Sequence, residues 1–229
     1  MENLTEKAQN EGIPSCHGWM NPQITIDRHL IRRHDHYHKY VSRRAYLSLI
    51  TTLILLFIAI EMFITENWFW GAIVTIVASG LFFVYYILRK LQSGMAYKAG
   101  YLAPGIVINV QPLEIAVIIN TAADKGSPKH YGCKRMQIKN LPLHSHEIGE
   151  RVPCSIMFGE LDENYYTSYD LRPLAWGTGC KEEIGKEIER IPEEDWKRLE
   201  TLLGNGNLFR FEMEEMACFD ENGDLMGII

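Results

Sequence analysis

Two long apolar runs, separated by a pair of carboxylates, dominate the hydrophobic pattern of this chain. No residue between 45 and 60 is charged, residues 62–65 extend that run beyond Glu61, and a second uncharged run covers residues 67–88. Each holds about 20 residues, which at a rise of about 1.5 Å per residue matches a hydrocarbon core about 30 Å thick. Lone strands would leave backbone groups unpaired in lipid, so both spans are expected to be helical. A secretory signal does not fit: the first run starts late, is too long, and has no small-residue cleavage site before the second. A core helix of a soluble domain is the alternative, but two adjacent runs of this length argue for spans.

The period changes after residue 100. Residues 105–110 and 114–119 are β-branched runs split by Gln111-Pro112-Leu113, which reads as a turn. Residues 134–139 and 154–159 are further strand candidates, the second entered through Pro153. Short strands with Gly and Pro punctuation suggest a small β-barrel or a sandwich, with the barrel favoured. Ile184, Ile188 and Ile191 then recur at helical spacing. Pro192 opens a second helix, with Glu193, Glu194 and Asp195 in its first turn, Trp196, Leu199, Leu202 and Leu203 on its apolar face, and Gly204 at its end. Residues 208–211 read as extended, and residues 217–219 and 225–228 flank a turn at 221–224.

Composition alone would conceal the two spans. The 229 residues are 47% hydrophobic and 23% charged with net charge -6, and the mean hydropathy is -0.12. These averages exclude a disordered chain, a disulfide-dense mini-protein and a chain that binds nucleic acid by charge alone. Charge is unevenly spread: residues 1–44 carry +2, residues 45–90 are neutral and residues 91–229 carry -8. Cations flank both spans on the same side, while the short connection between them carries only Glu61 and Glu66. The positive-inside rule therefore predicts both termini in the cytoplasm, with Arg43, Arg44, Arg89 and Lys90 at the inner interface beside Tyr46, Tyr85 and Tyr86. Trp68, Phe69 and Trp70 would mark the outer interface. Anionic headgroups are the partner these cations imply, and no aromatic-basic module suggests nucleic acid. All five cysteines fall on the inferred cytoplasmic side with no C-x-x-C pair, which predicts free thiols.

Several short strings resemble a known family. Tyr101-Leu102-Ala103-Pro104-Gly105-Ile106-Val107, Asn120-Thr121-Ala122-Ala123, Gly149 with Arg151-Val152-Pro153, Leu174-Ala175-Trp176-Gly177-Thr178, and Ile191-Pro192 with Trp196 keep a familiar order and spacing. They resemble the bacterial family called domain of unknown function 3239, over roughly residues 95–211. The resemblance implies a domain placed after membrane spans, and it carries no activity, cofactor or site residue with it.

Candidate chemistry is sparse. His34, His36 and His38 cluster around Asp35, and His34 and His38 would share a face if the first helix ran through them. A basic helix start at the interface explains the same cluster, with a pH-dependent membrane contact as a third reading. His144 and His146 precede Glu147 in a loop, half of a metal site or an acid–base pair, against the simpler reading of a polar turn. Cys154 is a nucleophile only if accessible, and a strand position predicts an inert thiol. Asp220 to Asp224 imitate a calcium loop, but the chain ends before the bidentate acid that loop requires. Glu61 is the one intramembrane carboxylate, close to the outer interface, and would line an ion path only in an oligomer. Gly71, Ala78, Ser79 and Gly80 permit close helix packing. Phosphate-loop and dinucleotide strings are lacking, so no cofactor is expected.

The expected architecture is an α+β membrane protein. A basic cytoplasmic segment (1–44) precedes a two-helix transmembrane hairpin (45–90) and a connector (91–100). A small β-barrel-like domain with C-terminal helices (101–211) and an acidic tail with a hairpin (212–229) follow. The expected role is a non-enzymatic inner-membrane anchor or scaffold, binding a protein partner or forming a homo-oligomer. The competing roles are an oligomeric channel or transport accessory, a membrane-tethered metal-dependent enzyme using His144, His146 and Cys154, and a toxin-immunity protein.

Overall fold

The structure, a computed structural model, describes residues 20–91, 94–123, 127–204 and 215–229. It divides into a helical unit, residues 31–95, and an α+β unit built from residues 1–30 and 96–229. Cys16, the side chain of Lys90 and the 208–211 stretch lie outside the described residues.

Helix α1 (Arg28–His34), of which residues 31–34 fall in the helical unit, is followed directly by α2 (His36–Ile64), and α3 (Trp68–Leu91) returns antiparallel to α2. A continuous helix through the histidine cluster, on which His34 and His38 would share a face, does not form. Asp35 is extended (φ -75°, ψ 114°) and its carboxylate accepts the His38 amide at 3.1 Å, so it caps α2 and ends α1. His34 and His38 therefore belong to different helices.

The α2–α3 turn is fastened locally. Thr65 donates its hydroxyl to Glu61 O, the Asn67 amide donates to Met62 O, and Phe63 meets Trp68 edge-on at 5.6 Å. Between the helices runs a seam of small side chains at a seven-residue period: Ala45, Thr52 and Ala59 on α2, Gly71 and Ala78 on α3. A Cβ on Gly71 would lie 3.1 Å from the Phe63 ring, whereas Gly80 faces open space and Ser79 is exposed. The Ser48 hydroxyl bridges the pair by donating to Leu81 O at 2.9 Å. Outside this seam the large apolar residues point outward, with Ile76 72% and Phe57 63% exposed. Both helices are long and apolar enough to cross a membrane, with only 11% of each apolar window buried, which is the reverse of a soluble core helix.

In the α+β unit, a short helix α4 (Met95–Ala99) leads into strands β1 (Tyr101–Val110), β2 (Leu113–Asn120), β3 (Tyr131–Gln137) and β4 (Arg151–Phe158). A ribbon of β5 (Leu161–Asp162) and β6 (Tyr165–Tyr166), strand β7 (Tyr169–Pro173), helices α5 (Lys181–Arg190) and α6 (Glu193–Gly204), and strands β8 (Met216–Phe219) and β9 (Leu225–Ile228) complete it. Seven strands form one antiparallel sheet in the order β7-β4-β1-β2-β3-β8-β9. The sheet curls but stays open, with β7 and β9 at its two edges: a half-barrel in place of the expected barrel.

Pro104 of β1 lies directly opposite Pro153 of β4. Neither has an N–H, so they must form a pair that exchanges no backbone bonds, the one arrangement in which two opposed prolines do not break the ladder. At the C-terminal end β8 pairs with β3 and β9 with β8, so residues 216–228 are part of the sheet. Their turn is folded by Asp220, whose carboxylate accepts the amides of Asn222 and Asp224 at 2.9 and 2.8 Å.

The concave core is dominated by Trp176, Trp196, Tyr97, Phe219 and Leu199, all essentially sealed from solvent. The expected connector thus supplies a core residue, Tyr97. The Trp176 indole N–H donates to Asn140 O at 2.8 Å, so its polar atom is satisfied inside. Next to it, a Cβ on Gly177 would lie 2.8 Å from the Tyr97 ring. Gly177→Ala is expected to cost about 1–3 kcal/mol through overpacking, read as a lowered denaturation midpoint of the full chain in detergent; an unchanged midpoint would mean that the ring can move aside.

Candidate functional site

A polar cluster around α5, not anticipated from the sequence, is densely hydrogen-bonded. On α5 the buried face consists of Ile184 and Glu187, where Ile188 had been expected beside Ile184; Ile188 is only half-buried. Glu187 is 1% exposed. Its carboxylate accepts Arg190 Nη1 at 2.7 and 2.8 Å and the Gln23 amide at 3.1 Å, so the buried charge is fully matched. Arg190 also donates to Asn21 O at 3.2 Å.

One turn earlier, Glu183 accepts the Thr25 amide at 2.9 Å, the Thr25 hydroxyl at 2.6 Å and the Thr178 hydroxyl at 2.7 Å. Burial pushes the Glu183 pKa up, but these hydrogen bonds outweigh it and leave the carboxyl below its ordinary range. The amide of Leu102 donates to Met20 O at 2.6 Å, the Asn21 side chain to Gly100 O at 2.9 Å and the Asp27 amide to Gly177 O at 2.8 Å. Residues 20–27, part of the expected basic N-terminal segment, are an extended strap fastened to α5, β1 and the Trp176–Gly177 turn. The sequence signal was present in Glu187 and Arg190 at i, i+3, but the pair resembles any exposed helix salt bridge until its partner strand is known.

The His144–Glu150 loop is the second cluster. Glu150 accepts the amides of Ser145 and His146 at 2.9 and 2.8 Å, the Ser145 hydroxyl at 3.0 Å and His144 Nδ1 at 2.9 Å. Burial works to raise its pKa, and the Ser145 amide and hydroxyl together with His144 bring it below the usual carboxylate value. His144 is held below its ordinary value by burial, against the pull of Glu150, so at neutral pH this is a hydrogen bond from a neutral imidazole. His146 Nε2 is spent on Leu141 O at 2.9 Å. Leu143 and His146 take φ values of 68° and 62°, and Gly149 takes 88°; the carboxylate knot holds them there. His144 and His146 are thereby given separate duties and do not converge. Among the described residues, no group of three His, Cys, Asp or Glu side chains is placed to hold a metal.

Cys154 sits in β4 at 0% exposure, where burial pushes its thiol pKa up. Cys133 is equally enclosed and is raised to about 12. Cys180 is the exposed thiol among the described cysteines. Arg151 joins β4 to α6 through two hydrogen bonds to Glu193, at 2.8 and 2.7 Å, and lies over Trp196 at 5.0 Å. In the helical unit, Glu61 is exposed one turn before the end of α2, and Trp68 and Trp70 are exposed at the start of α3. Arg44 covers the Tyr40 ring at 4.3 Å, whereas Arg43, Arg89 and His38 come together around one recess.

Residues 91–207 match the family described as Protein of unknown function (DUF3239), which is just over half of the chain. The chain belongs to this family. Its members' shared region thus starts at the end of α3 and takes in the half-barrel through β7 and both following helices. The chain is also similar to the crystal structure of a "putative membrane protein" from Corynebacterium diphtheriae, at 20% identity and a TM-score of 0.45, over 52% of this chain and 98% of that one. Among curated proteins none matches.

The strap has a pH signature with a defined sign. Glu183 has a depressed folded pKa, so its contribution is full above the ordinary carboxylate value of 4.5 and is lost as pH falls through the folded value. Hydrogen exchange at the Thr25 amide is expected to accelerate selectively below pH 4.5, relative to amides in β1 and β2. Glu187→Gln is expected to remove about 1–3 kcal/mol at neutral pH and to deprotect Gln23; equal protection in the variant would show that Glu187 does not hold the strap.

Proposed function

We propose that the protein is a bacterial inner-membrane anchor of the two-pass type, with both termini in the cytoplasm, that presents its half-barrel domain for non-enzymatic docking. The observation that carries this is the strap. Residues 20–27 precede the first apolar helix and the half-barrel follows the second, yet the two are hydrogen-bonded parts of one folded unit. A chain that crosses a bilayer between them must cross it an even number of times, and α2 and α3 supply two crossings. The cations around that end of the hairpin choose the cytoplasm as the common side.

Support for docking over catalysis comes from how the reactive groups are employed. His144 and Glu150 hold a loop, and Cys154 is enclosed. Strand β9 meanwhile leaves Leu225, Met226 and Ile228 exposed by 45, 63 and 50% at a sheet edge, a surface suited to strand addition by a protein partner or a second copy.

Exposed Cys180 is a built-in reporter for the topology. In a Cys16→Ser background, a membrane-impermeant maleimide is expected to leave Cys180 unmodified in intact spheroplasts and to label it after lysis. A Glu66→Cys variant, changed in the exposed α2–α3 turn, is expected to be labelled without lysis. Labelling of Cys180 from outside would reverse the orientation, and labelling of both positions before lysis would remove the two-pass reading.

A further inference from the structure

The loop of residues 141–150, between β3 and β4, rests on a single side chain. Glu150 collects the Ser145 amide and hydroxyl, the His146 amide and His144 Nδ1. The backbone needs that collector. Leu143 (φ 68°) and His146 (φ 62°) occupy the left-handed region, which is unfavourable for a residue with a Cβ, whereas Gly149 (φ 88°) enters it freely. Both ends of the loop are pinned independently of the Glu150 carboxylate. Trp176 Nε1 donates to Asn140 O, the Gly149 amide donates to Val107 O, and the Val107 amide donates to Glu150 O. Opening is thereby confined to the stretch between these anchors.

His144 is where the knot is vulnerable to a proton. Its side chain is 3% exposed. A carboxylate oxygen only accepts, so the proton of the neutral ring sits on Nδ1, 2.9 Å from Glu150 Oε1, and Nε2 carries the lone pair. Nε2 is buried, and among the described residues no hydrogen-bond partner reaches it. A second proton would turn that lone pair into an N–H donor on a cation with no acceptor, the costly case for a buried polar group. The charged and titratable groups acting on the ring are Glu150, which favours the cation, and His146 and Lys181, which oppose it, Lys181 from the first turn of α5. Burial outweighs Glu150, so the closed loop takes up the proton less readily than an open one.

We propose that this loop is a proton-released latch: a proton taken up at His144 Nε2 opens residues 141–149 and exposes Leu141, which is 0% exposed when the loop is closed. The closed form holds His144 below 6.5, so it is fully favoured above pH 6.5 and loses ground as pH falls from there toward the closed-state value. Glu150 is depressed from 4.5, so its own contribution is intact above pH 4.5 and the collecting carboxylate stays charged through this window. The strap, held by Glu183, responds only below 4.5, which separates the two effects.

The test follows amide hydrogen exchange in the full chain in detergent. Protection of the Ser145 and His146 amides, corrected for intrinsic exchange, is expected to fall between pH 6.5 and 4.5 while amides in β1 and β2 keep theirs. Uptake of one proton limits the fall to roughly tenfold per pH unit. Nitrogen NMR of the histidine rings is expected to show His144 as the Nδ1–H tautomer with a midpoint below 6.5. His144→Asn keeps a donor near the Nδ1 position without a titrating ring, and its loop protection is expected to stay level over the same range. Level protection in wild type, an equal fall in β1 and β2, or a fall that persists in His144→Asn overturns the proposal. So does a His144 midpoint at or above 6.5, and that criterion decides alone should the His144→Asn loop lie open at every pH.

Discussion

A buried carboxylate, Glu187, joins the two ends of the molecule's main unit. At 1% exposure it tolerates a charge only because Arg190 and the Gln23 amide surround it. Gln23 precedes the helical hairpin and Glu187 follows the half-barrel, so satisfying this one group requires the chain to leave a folded unit and return to it. The strap and the inclusion of residues 20–30 in the α+β unit both depend on that requirement.

The half-barrel has its own internal logic. Its sheet opens where a barrel would close, and α5 and α6 follow β7 in the chain; α6 is tied to β4 by Arg151, held by Glu193 and stacked on Trp196. The strings shared with the family acquire physical meanings in this setting. Pro104 and Pro153 oppose one another where the ladder needs no N–H, Trp176 donates to Asn140 O, Gly177 admits the Tyr97 ring, and Thr178 helps hold Glu183. Each of these serves packing or hydrogen bonding in the domain.

The helical unit is organised by the opposite solvent logic. Its interior is a narrow line of Ala45, Thr52, Ala59, Gly71 and Ala78, while leucine, isoleucine and phenylalanine face outward. Close approach of backbones, not burial of bulk, holds such a pair together. At the end of the same pair nearest residue 38, Arg32, Lys39, Arg43 and Arg89 gather around a recess.

The sequence by itself determined what short-range periodicity can determine: two long apolar helices, the β1–β2 hairpin around Pro112, the start of α6 after Pro192 and the final turn at 221–224. These features depend on residues within a few positions of each other, or on unbroken apolar length. Tertiary structure alone decided which polar residues are interior. Glu187 and Ile188 are adjacent, and helical spacing favours the isoleucine, but the carboxylate is buried because a strand 164 positions away brings it an amide. His34 and His38 match a helical pair in spacing, yet Asp35 turned inward as a cap and parted them. The barrel became a half-barrel for a related reason: strand content is local, whereas closure depends on whether the first and last strands meet, and here β7 and β9 remain at opposite edges.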